Sequence, residues 1–392
     1  MFSRFKIKSD KDIETIKQMG LSEIVIIPER SDLEINSTPE PAHRPAIKQN
    51  PEETPDVDNI WKEKQAQIEQ AGQYRDKHKD IANSYKKQAR KVKNIVNQMK
   101  SQPANAIHNI DDVVKDMSST FDGQNDMITN LVNLGVGEHT EQHHAINVTM
   151  LAMMIGKAEN LSKTELEQLC TGALMHDIGK VTISSSITMK KTGLTRAEEQ
   201  AMQQHASSGK NLAARVRDFP DAILNILEQH HEFLDGTGYP HGLLAPDLSK
   251  IVRIVTLTNT YDNLCNPTDV SKAMTPKTAM ATMYSKYNSK LDRQLVERFI
   301  STLGVYPPGT IVQLNNDNIG LVISTNPDAL LKPEILIYDP SIPKEQAMII
   351  NLKDYDELSI EDVLRPGDYP SDIYEYLGIG ERLGYMMEAS AG

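Results

Sequence analysis

The 392-residue sequence predicts a mainly α-helical protein, with an all-α helical domain, a small N-terminal α+β unit and a small C-terminal β-unit. From about residue 107 to residue 303, apolar residues recur every three or four positions in one segment after another, which predicts amphipathic helices. After Pro307-Pro308-Gly309 the pattern changes to short β-branched runs separated by Asn, Asp and Pro. A mixed pattern of strand, helix and strand is confined to the N-terminal end.

The N-terminal α+β unit is assigned to residues 1–30. FKIKS alternates as a strand does, DKDIETIKQMG has helical spacing, and SEIVIIP is a short β-branched run. Residues 31–59 are rich in Pro, Glu, Asn and Ser and poor in large apolar side chains. We therefore expect a flexible linker in that range.

Residues 60–105 are predicted to form a basic amphipathic helix, since eleven Lys/Arg and only four Asp/Glu lie between residues 61 and 100. Its apolar side consists of Ile81, Tyr85, Ala89, Val92, Val96 and Met99. The pattern is typical of a coiled-coil arm that forms a homodimer through residues 60–100 or contacts nucleic acid, and equally of a helix packed on the next domain. Because the heptads are few and imperfect, we prefer packing.

The helical domain is expected over residues 106–305, and a small β-rich unit with a tail over residues 306–392. The strand candidates of the second unit are GTIVQL, NIGLVIST and EILIYDP. Each is short, rich in β-branched residues and bounded by turn-forming residues.

The composition excludes several classes of protein. A formal net charge of −12 argues against a protein that binds duplex nucleic acid by neutralising its phosphates. Two cysteines are too few for a disulfide framework and favour a reducing compartment. No run approaches the roughly 18 apolar residues of a membrane span, so we expect a cytoplasmic protein without one.

Histidine is concentrated in one part of the chain, since eight of eleven lie between residues 139 and 241. Five of them stand on the faces or at the ends of predicted helices, namely His144, His176, His205, His230 and His231. Asp177 directly follows His176 at the end of an apolar helix. A His and an Asp side by side can both ligate a metal, and a carboxylate can bridge two ions. The set therefore predicts a metal site.

HDIGK, followed by a lone His in QQHASSG and then by HHEFLDGTGYP, resembles the HD-GYP family. This family is a branch of the HD-domain metal-dependent phosphohydrolases, and its members hydrolyse the bacterial messenger cyclic di-GMP. The resemblance covers roughly residues 138–279 and implies an HD-type helical domain. The N-terminal unit and VYPPGTIVQL are similar to accessory segments of some members.

The resemblance implies two divalent metal ions, with Fe or Mn expected from the ligand types. The implied ligands are His144, His176, Asp177, His205, His230 and His231, with Asn259 at the position of a seventh. Asp177 would bridge the two ions and, with Lys180, take part in catalysis.

The substrate contacts implied by the resemblance lie beside these ligands. Lys180 would contact a substrate phosphate. Gly236, Gly238, Tyr239 and Pro240 would form the signature loop, where glycines let the backbone approach a ligand and the tyrosine can stack or donate a hydrogen bond.

His143 competes with His144 for the place of the first ligand, because adjacent helix positions point about 100° apart. We prefer His144, since its distance in sequence from His176 matches the register of the family. His139 and His241 are not assigned a role.

The sequence departs from the family pattern at several positions. Asn259, in LTNTYDNL, stands where the family has its last aspartate ligand, so the site loses one negative charge. Thr140 replaces a glutamate that holds a third metal in some members, so two metals are the maximum expected. Thr268 and Ser271 replace basic residues that hold the second phosphate of the ligand, which leaves Lys272 as the nearby cation.

These observations lead to three hypotheses. The first is a cyclic di-GMP phosphodiesterase that releases linear pGpG and some GMP. The second is a weakened or inactive member that acts as a cyclic di-GMP sensor or interaction module, with a diguanylate cyclase as a partner. The third is an HD-type nucleotide phosphohydrolase with another substrate.

Overall fold

The computed structural model describes residues 57–99, 101–134, 140–190, 193–267, 269–365 and 369–378. The α+β unit predicted for residues 1–30, and the linker up to residue 56, lie outside these ranges. Within them the mainly helical fold class is confirmed, and the small C-terminal β-unit is present as an antiparallel sheet.

A long helix, α1 (Val57–Met99), leads into the helical domain. Its apolar side belongs to the same hydrophobic core as the helices that follow, and its buried residues include Ile81, Tyr85, Ala89, Val92 and Met99. This agrees with a helix packed on the next domain, whereas the homodimer stays a prediction. A second helix begins at Pro103, because proline lacks an amide hydrogen and is readily accommodated in the first turn of a helix.

The helical domain follows α1 directly. Its helices are α2 (Pro103–Thr120), α3 (Asn125–Leu134), α4 (Glu141–Ala158), α5 (Lys163–Met175), α6 (Ser185–Thr188), α7 (Arg196–Gln203), α8 (His205–Ala213), α9 (Asp221–Gln229), α10 (Lys250–Cys265), α11 (Pro276–Lys286) and α12 (Arg293–Leu303). A short 3₁₀ segment, Ile178–Thr182, lies between α5 and α6.

Helix α4 lies at the centre of the domain. Every residue from His144 to Gly156 is buried, and the helix packs against α3, α5, α10 and α12. A helix covered on all sides needs apolar residues around its whole circumference, and the sequence INVTMLAMMI largely supplies them. His144, near the start of α4, is therefore inside the protein.

The C-terminal unit is a five-stranded antiparallel sheet followed by a short helix. Its elements are β1 (Ile311–Leu314), β2 (Ile319–Ser324), β3 (Glu334–Ile337), β4 (Ile349–Asn351), β5 (Ile360–Val363) and α13 (Ser371–Tyr376), with the strand order β4-β3-β2-β1-β5. The three strand candidates correspond to β1, β2 and β3. The sequence does not reveal β4, which has only three residues, or β5, in which two of the four residues are acidic.

None of the helices in the described ranges has the length and apolarity needed to cross a bilayer.

Candidate metal centre

Five histidines and one aspartate meet in the interior of the helical domain. Each stands close to a helix end: His144 near the start of α4, His176 and Asp177 just after α5, His205 at the start of α8, and His230 and His231 just after α9. Their potential ligand atoms form two groups, each with all atoms within 4.8 Å of one another. One group is His144, His176 and Asp177, and the other is Asp177, His205, His230 and His231.

The Nδ1 atoms of four of these imidazoles are already engaged. Their acceptors are the carbonyl oxygen of Ala173 for His176 (2.7 Å), that of Met202 for His205 (2.7 Å), that of Leu227 for His230 (3.0 Å) and the carboxylate of Asp262 for His144 (2.6 Å). Carbonyl and carboxylate oxygens accept, so each Nδ1 carries the hydrogen. The Nε2 atom of each neutral ring is then left with a free lone pair.

The four Nε2 atoms face one another in two pairs. Nε2 of His144 lies 3.1 Å from Nε2 of His176, and Nε2 of His205 lies 3.2 Å from Nε2 of His230. Two acceptors at this distance, with no hydrogen between them, repel each other unless a cation is shared. The residues present therefore fit one metal ion at each pair.

Asp177 lies between the two imidazole pairs. Its Oδ2 is 3.3 Å from Nε2 of His176 and 3.7 Å from Nε2 of His144. Its Oδ1 is 3.3 Å from Nε2 of His205 and 3.9 Å from Nε2 of His230. Each carboxylate oxygen thus faces a different pair, which is the geometry of a ligand that bridges two ions.

The electrostatics of the cluster favour the protonation states that metal ligands need. Burial opposes ionisation of Asp177, but Lys180 and His176 outweigh it and hold the pKa of the carboxyl well below its usual range. Burial also lowers the pKa of His205, and lowers those of His230 and His231 strongly, with neighbouring positive groups adding to the effect. The shifts favour an ionised Asp177 carboxylate beside neutral imidazoles at His205, His230 and His231.

Lys180 lies at the edge of this cluster rather than free in the cavity. Its Nζ donates to Oδ2 of Asp177 at 2.6 Å. Burial disfavours the ammonium ion, but the Asp177 carboxylate more than compensates and raises the pKa of Lys180. The lysine therefore remains a positive charge beside the carboxylate, and its contact with a phosphate stays a prediction.

The GTGYP loop is held against the histidines by a buried carboxylate. Glu232 accepts the backbone N–H groups of His241 (2.7 Å), Gly242 (3.1 Å) and Leu243 (3.0 Å). The ring of Tyr239 stacks on His231 at a centroid distance of 4.5 Å and an interplanar angle of 19°. Burial, reinforced by Asp177, raises the pKa of Tyr239, so its hydroxyl stays a donor. The Tyr239–Pro240 peptide bond is cis.

Two positions of this loop require glycine, each for a different structural reason. Gly236 has a φ of +75°, a backbone conformation that residues with a side chain rarely adopt. A Cβ on Gly238 would lie 2.5 Å from the carbonyl oxygen of His231 and from the backbone of Glu232.

Asn259 lines a cavity of about 190 Å³ together with His230 and His231. Its Oδ1 accepts a hydrogen bond from Nδ2 of Asn263 at 2.7 Å. The amide is thus beside the histidines, where the sequence places it, but its oxygen already has a donor.

The remaining candidates stand apart from the cluster. Lys272 is largely exposed, pairs with Asp269 at 3.0 Å and is not among the cavity-lining residues in the described ranges, so its substrate contact stays a prediction. His143 stacks on Tyr85 instead of joining the metal groups found there. Thr140 caps α4, His241 pairs with Glu228, Ser271 is exposed, and His139 and Thr268 lie outside the described residues.

Two family models match the chain. Residues 124–295 match the HD domain, and residues 1–110 match a domain of unknown function, DUF3391. The HD pair at His176-Asp177 and the Gly-Tyr-Pro loop both lie within the first match. Residues 124–295 are an HD domain.

Several relatives of the chain are named as phosphodiesterases. It is 25% identical to a cyclic di-GMP phosphodiesterase from Pseudomonas aeruginosa, over 58% of this chain and 55% of that protein. It is 29% identical to 3'3'-cGAMP-specific phosphodiesterase 3 from Vibrio cholerae, over 42% of this chain and 35% of that protein. The chain thus spans about half, or less, of the length of these relatives.

Among solved structures, an HDGYP protein from Bdellovibrio bacteriovorus is similar, with a TM-score of 0.49 and 19% sequence identity. The similarity covers 62% of this chain and 79% of that one.

Two residues beside the histidines have contacts that the sequence does not reveal. Asp262 orients His144, and its other oxygen accepts from the amides of Asn147 (2.9 Å) and Asn266 (2.6 Å). Glu232 holds the signature loop. Their only sequence signals are position, since Asp262 follows Asn259 by three residues and Glu232 directly follows the His pair.

Replacing Asp262 with Asn is expected to weaken divalent-metal binding about 10- to 100-fold. The new amide NH₂ would face either the Nδ1–H of His144 or the two donor amides, so one contact is lost either way. Mn²⁺ titration of metal-free protein by calorimetry measures the effect. Asp247→Asn, at an exposed position, is the control. Equal affinity in the Asp262 variant and the wild type would exclude this orienting role.

Proposed function

We propose that this HD-GYP protein is a metal-dependent phosphodiesterase that hydrolyses cyclic di-GMP to linear pGpG. The observation that carries the proposal is the position of Asp177, with one carboxylate oxygen towards each of two facing imidazole pairs. This arrangement would let Asp177 and the imidazole pairs hold two ions, which would suit the in-line displacement at a phosphodiester. Fe or Mn is the proposed metal, because imidazole and carboxylate ligands suit both.

The bound ions supply Lewis-acid polarisation of the phosphodiester and a water of lowered pKa. The protein side chains position the reacting groups and contribute charge. Asp177 and the five histidines fix the reacting region against a cavity that also contains Asn259. Lys180 adds a positive charge beside Asp177, where negative charge develops on the phosphoryl oxygens. Water is added across one P–O bond, which leaves a 5′-phosphate and a free 3′-hydroxyl.

The signature loop is proposed to position the substrate. Tyr239 is stacked on a candidate ligand, His231, and keeps its hydroxyl protonated, so it can donate to a phosphate or ribose oxygen beside the histidines. The clamp of Glu232 on three consecutive backbone N–H groups keeps the loop in place before substrate arrives. The loop is thus a preformed wall of the site.

A hydrolysis assay with Mn²⁺- or Fe²⁺-loaded protein tests the proposal. We expect chromatography to detect pGpG from cyclic di-GMP, with mononucleotides and deoxynucleoside triphosphates left intact. The relatives named above include a cGAMP-specific enzyme, so 3'3'-cGAMP belongs in the same assay. Binding of cyclic di-GMP without release of a linear product would overturn the proposal and favour the sensor hypothesis.

Replacing Asn259 with Asp is expected to raise metal affinity and hydrolysis about tenfold, because it restores a negative charge beside His230 and His231. A carboxylate can still accept from Nδ2 of Asn263, so the helix should tolerate the change. Metal titration and initial rates measure the gain, with Asn94→Asp at an exposed position of α1 as the control. Unchanged affinity and rate would mean that Asn259 is not a weak point of the site.

A further inference from the structure

We infer that Tyr85 of α1 is a positioning residue for the metal centre, acting on His144 through Asn147 and Asp262. The inference rests on the proposed metal-dependent function. It concerns a residue that lies outside the matched HD domain at residues 124–295 and inside the segment matched by DUF3391. The segment matched by DUF3391 is thus connected to the metal centre through the hydroxyl group of Tyr85.

The connection is a chain of three hydrogen bonds. The hydroxyl of Tyr85 donates to Oδ1 of Asn147 at 2.7 Å. Nδ2 of Asn147 donates to Oδ1 of Asp262 at 2.9 Å. Oδ2 of Asp262 accepts from Nδ1 of His144 at 2.6 Å, and Nε2 of that ring faces His176.

The three residues that connect to His144 are all shielded from water. Tyr85 is 2% exposed, Asn147 5% and Asp262 0%. A buried polar group that loses its partner has no solvent molecule to replace it, so its desolvation cost remains unpaid. Loss of any one of the three hydrogen bonds is therefore expected to weaken the other two.

Tyr85 determines which way the Asn147 amide faces. With the hydroxyl in place, the amide oxygen has a donor and the NH₂ group faces the Asp262 carboxylate. A flipped amide would point its oxygen at that carboxylate, and the two acceptors would repel each other. Without the hydroxyl the preferred orientation is less strongly fixed, so that Oδ1 of Asp262 keeps its bond from Asn266 but has a less firmly placed second donor.

The aromatic ring of Tyr85 has a separate role. It stacks on His143 at a centroid distance of 5.5 Å and an interplanar angle of 10°. Tyr85→Phe keeps this ring and removes only the hydroxyl, so the variant tests the hydrogen bond and not the packing of α1.

The chain offers a matched control on the same helix. Tyr74 of α1 also shares a hydrogen bond with an asparagine, since its hydroxyl oxygen accepts from Nδ2 of Asn130 at 3.2 Å. Neither Tyr74 nor Asn130 belongs to the metal groups in the described ranges. Tyr74→Phe therefore removes an equivalent bond elsewhere.

The test is Mn²⁺ titration of metal-free full-length protein by calorimetry. For Tyr85→Phe we expect the dissociation constant of one of the two sites to rise about 3- to 10-fold, less than for loss of a direct partner of a ligand. The rise in melting temperature on adding Mn²⁺ should shrink accordingly, while the melting temperature without metal changes little. Tyr74→Phe should bind Mn²⁺ as the wild type does.

A double-mutant cycle with Asn147→Ala separates this route from a general effect. Once Asn147 is absent, Tyr85→Phe should weaken Mn²⁺ binding no further. Additive effects, or wild-type affinity in Tyr85→Phe, would overturn the inference. Because the readout is metal affinity, a protein that binds Mn²⁺ as expected but cuts no cyclic di-GMP would refute the proposed activity alone.

Discussion

Asp177→Asn is expected to reduce cyclic di-GMP hydrolysis by about 10³-fold or more, the largest functional loss from any single change in this protein. The two carboxylate oxygens of Asp177 face different imidazole pairs, whereas the amide of asparagine supplies only one oxygen. The NH₂ group would direct its hydrogens at one metal position, where a cation should lie. That position is expected to be empty, and the remaining one is left without the shared negative charge.

Elemental analysis of the purified variant, together with the hydrolysis assay, measures both consequences. We expect no more than one metal per chain and no pGpG above background. Asp122→Asn, which removes an exposed partner of Lys157, is the control and should match the wild type. Two retained metals and a rate within tenfold of wild type would contradict the bridging role.

Gly179→Ala is expected to have the largest effect on stability, about 3 kcal/mol, which is at the upper end for an overpacked site. A Cβ at Gly179 would lie 1.9 Å from the carbonyl oxygen of His205 and 2.5 Å from the amide nitrogen of Gly209. Both are backbone atoms, so the 3₁₀ segment after the HD pair must move away from α8. His205 moves with its helix, and the contact with Asp177 is lost.

Thermal unfolding of the metal-free protein should detect a fall in melting temperature of roughly 6–10 °C. The variant should also bind Mn²⁺ more weakly, because His205 is displaced. Gly193→Ala is the matched control, since a Cβ there meets nothing within 4 Å. If the Gly179 variant were as stable as this control, the 3₁₀ segment Ile178–Thr182 could move away from α8 without loss of unfolding free energy.

The metal cluster is the part of the site that the sequence predicts best. Each histidine stands near a helix end, and the structure brings His144, His176, His205, His230 and His231 together around Asp177. Strong helical periodicity also made the helical domain predictable, because each helix buries a clear apolar stripe. The prediction missed β4, which has only three residues, and β5, in which two of the four residues are acidic.

The supporting contacts were not predictable, because they join residues far apart in the chain. His144 and Asp262 are 118 positions apart, and Tyr85 and Asn147 are 62 apart. Nothing local in the sequence marks such a pair before the helices pack. The contact of Lys180 with Asp177 is different, because it joins residues only three positions apart.

The packing of α1 means that this helix, although it lies in the segment matched by DUF3391, folds together with the helices of the HD domain. The apolar side of α1, from Ile81 to Met99, and the helices of the HD domain bury their side chains in one common core. Cutting the chain between them would expose that apolar surface on both fragments. An exchange of accessory segments during evolution would therefore have to preserve this helix, or replace it with one of the same shape.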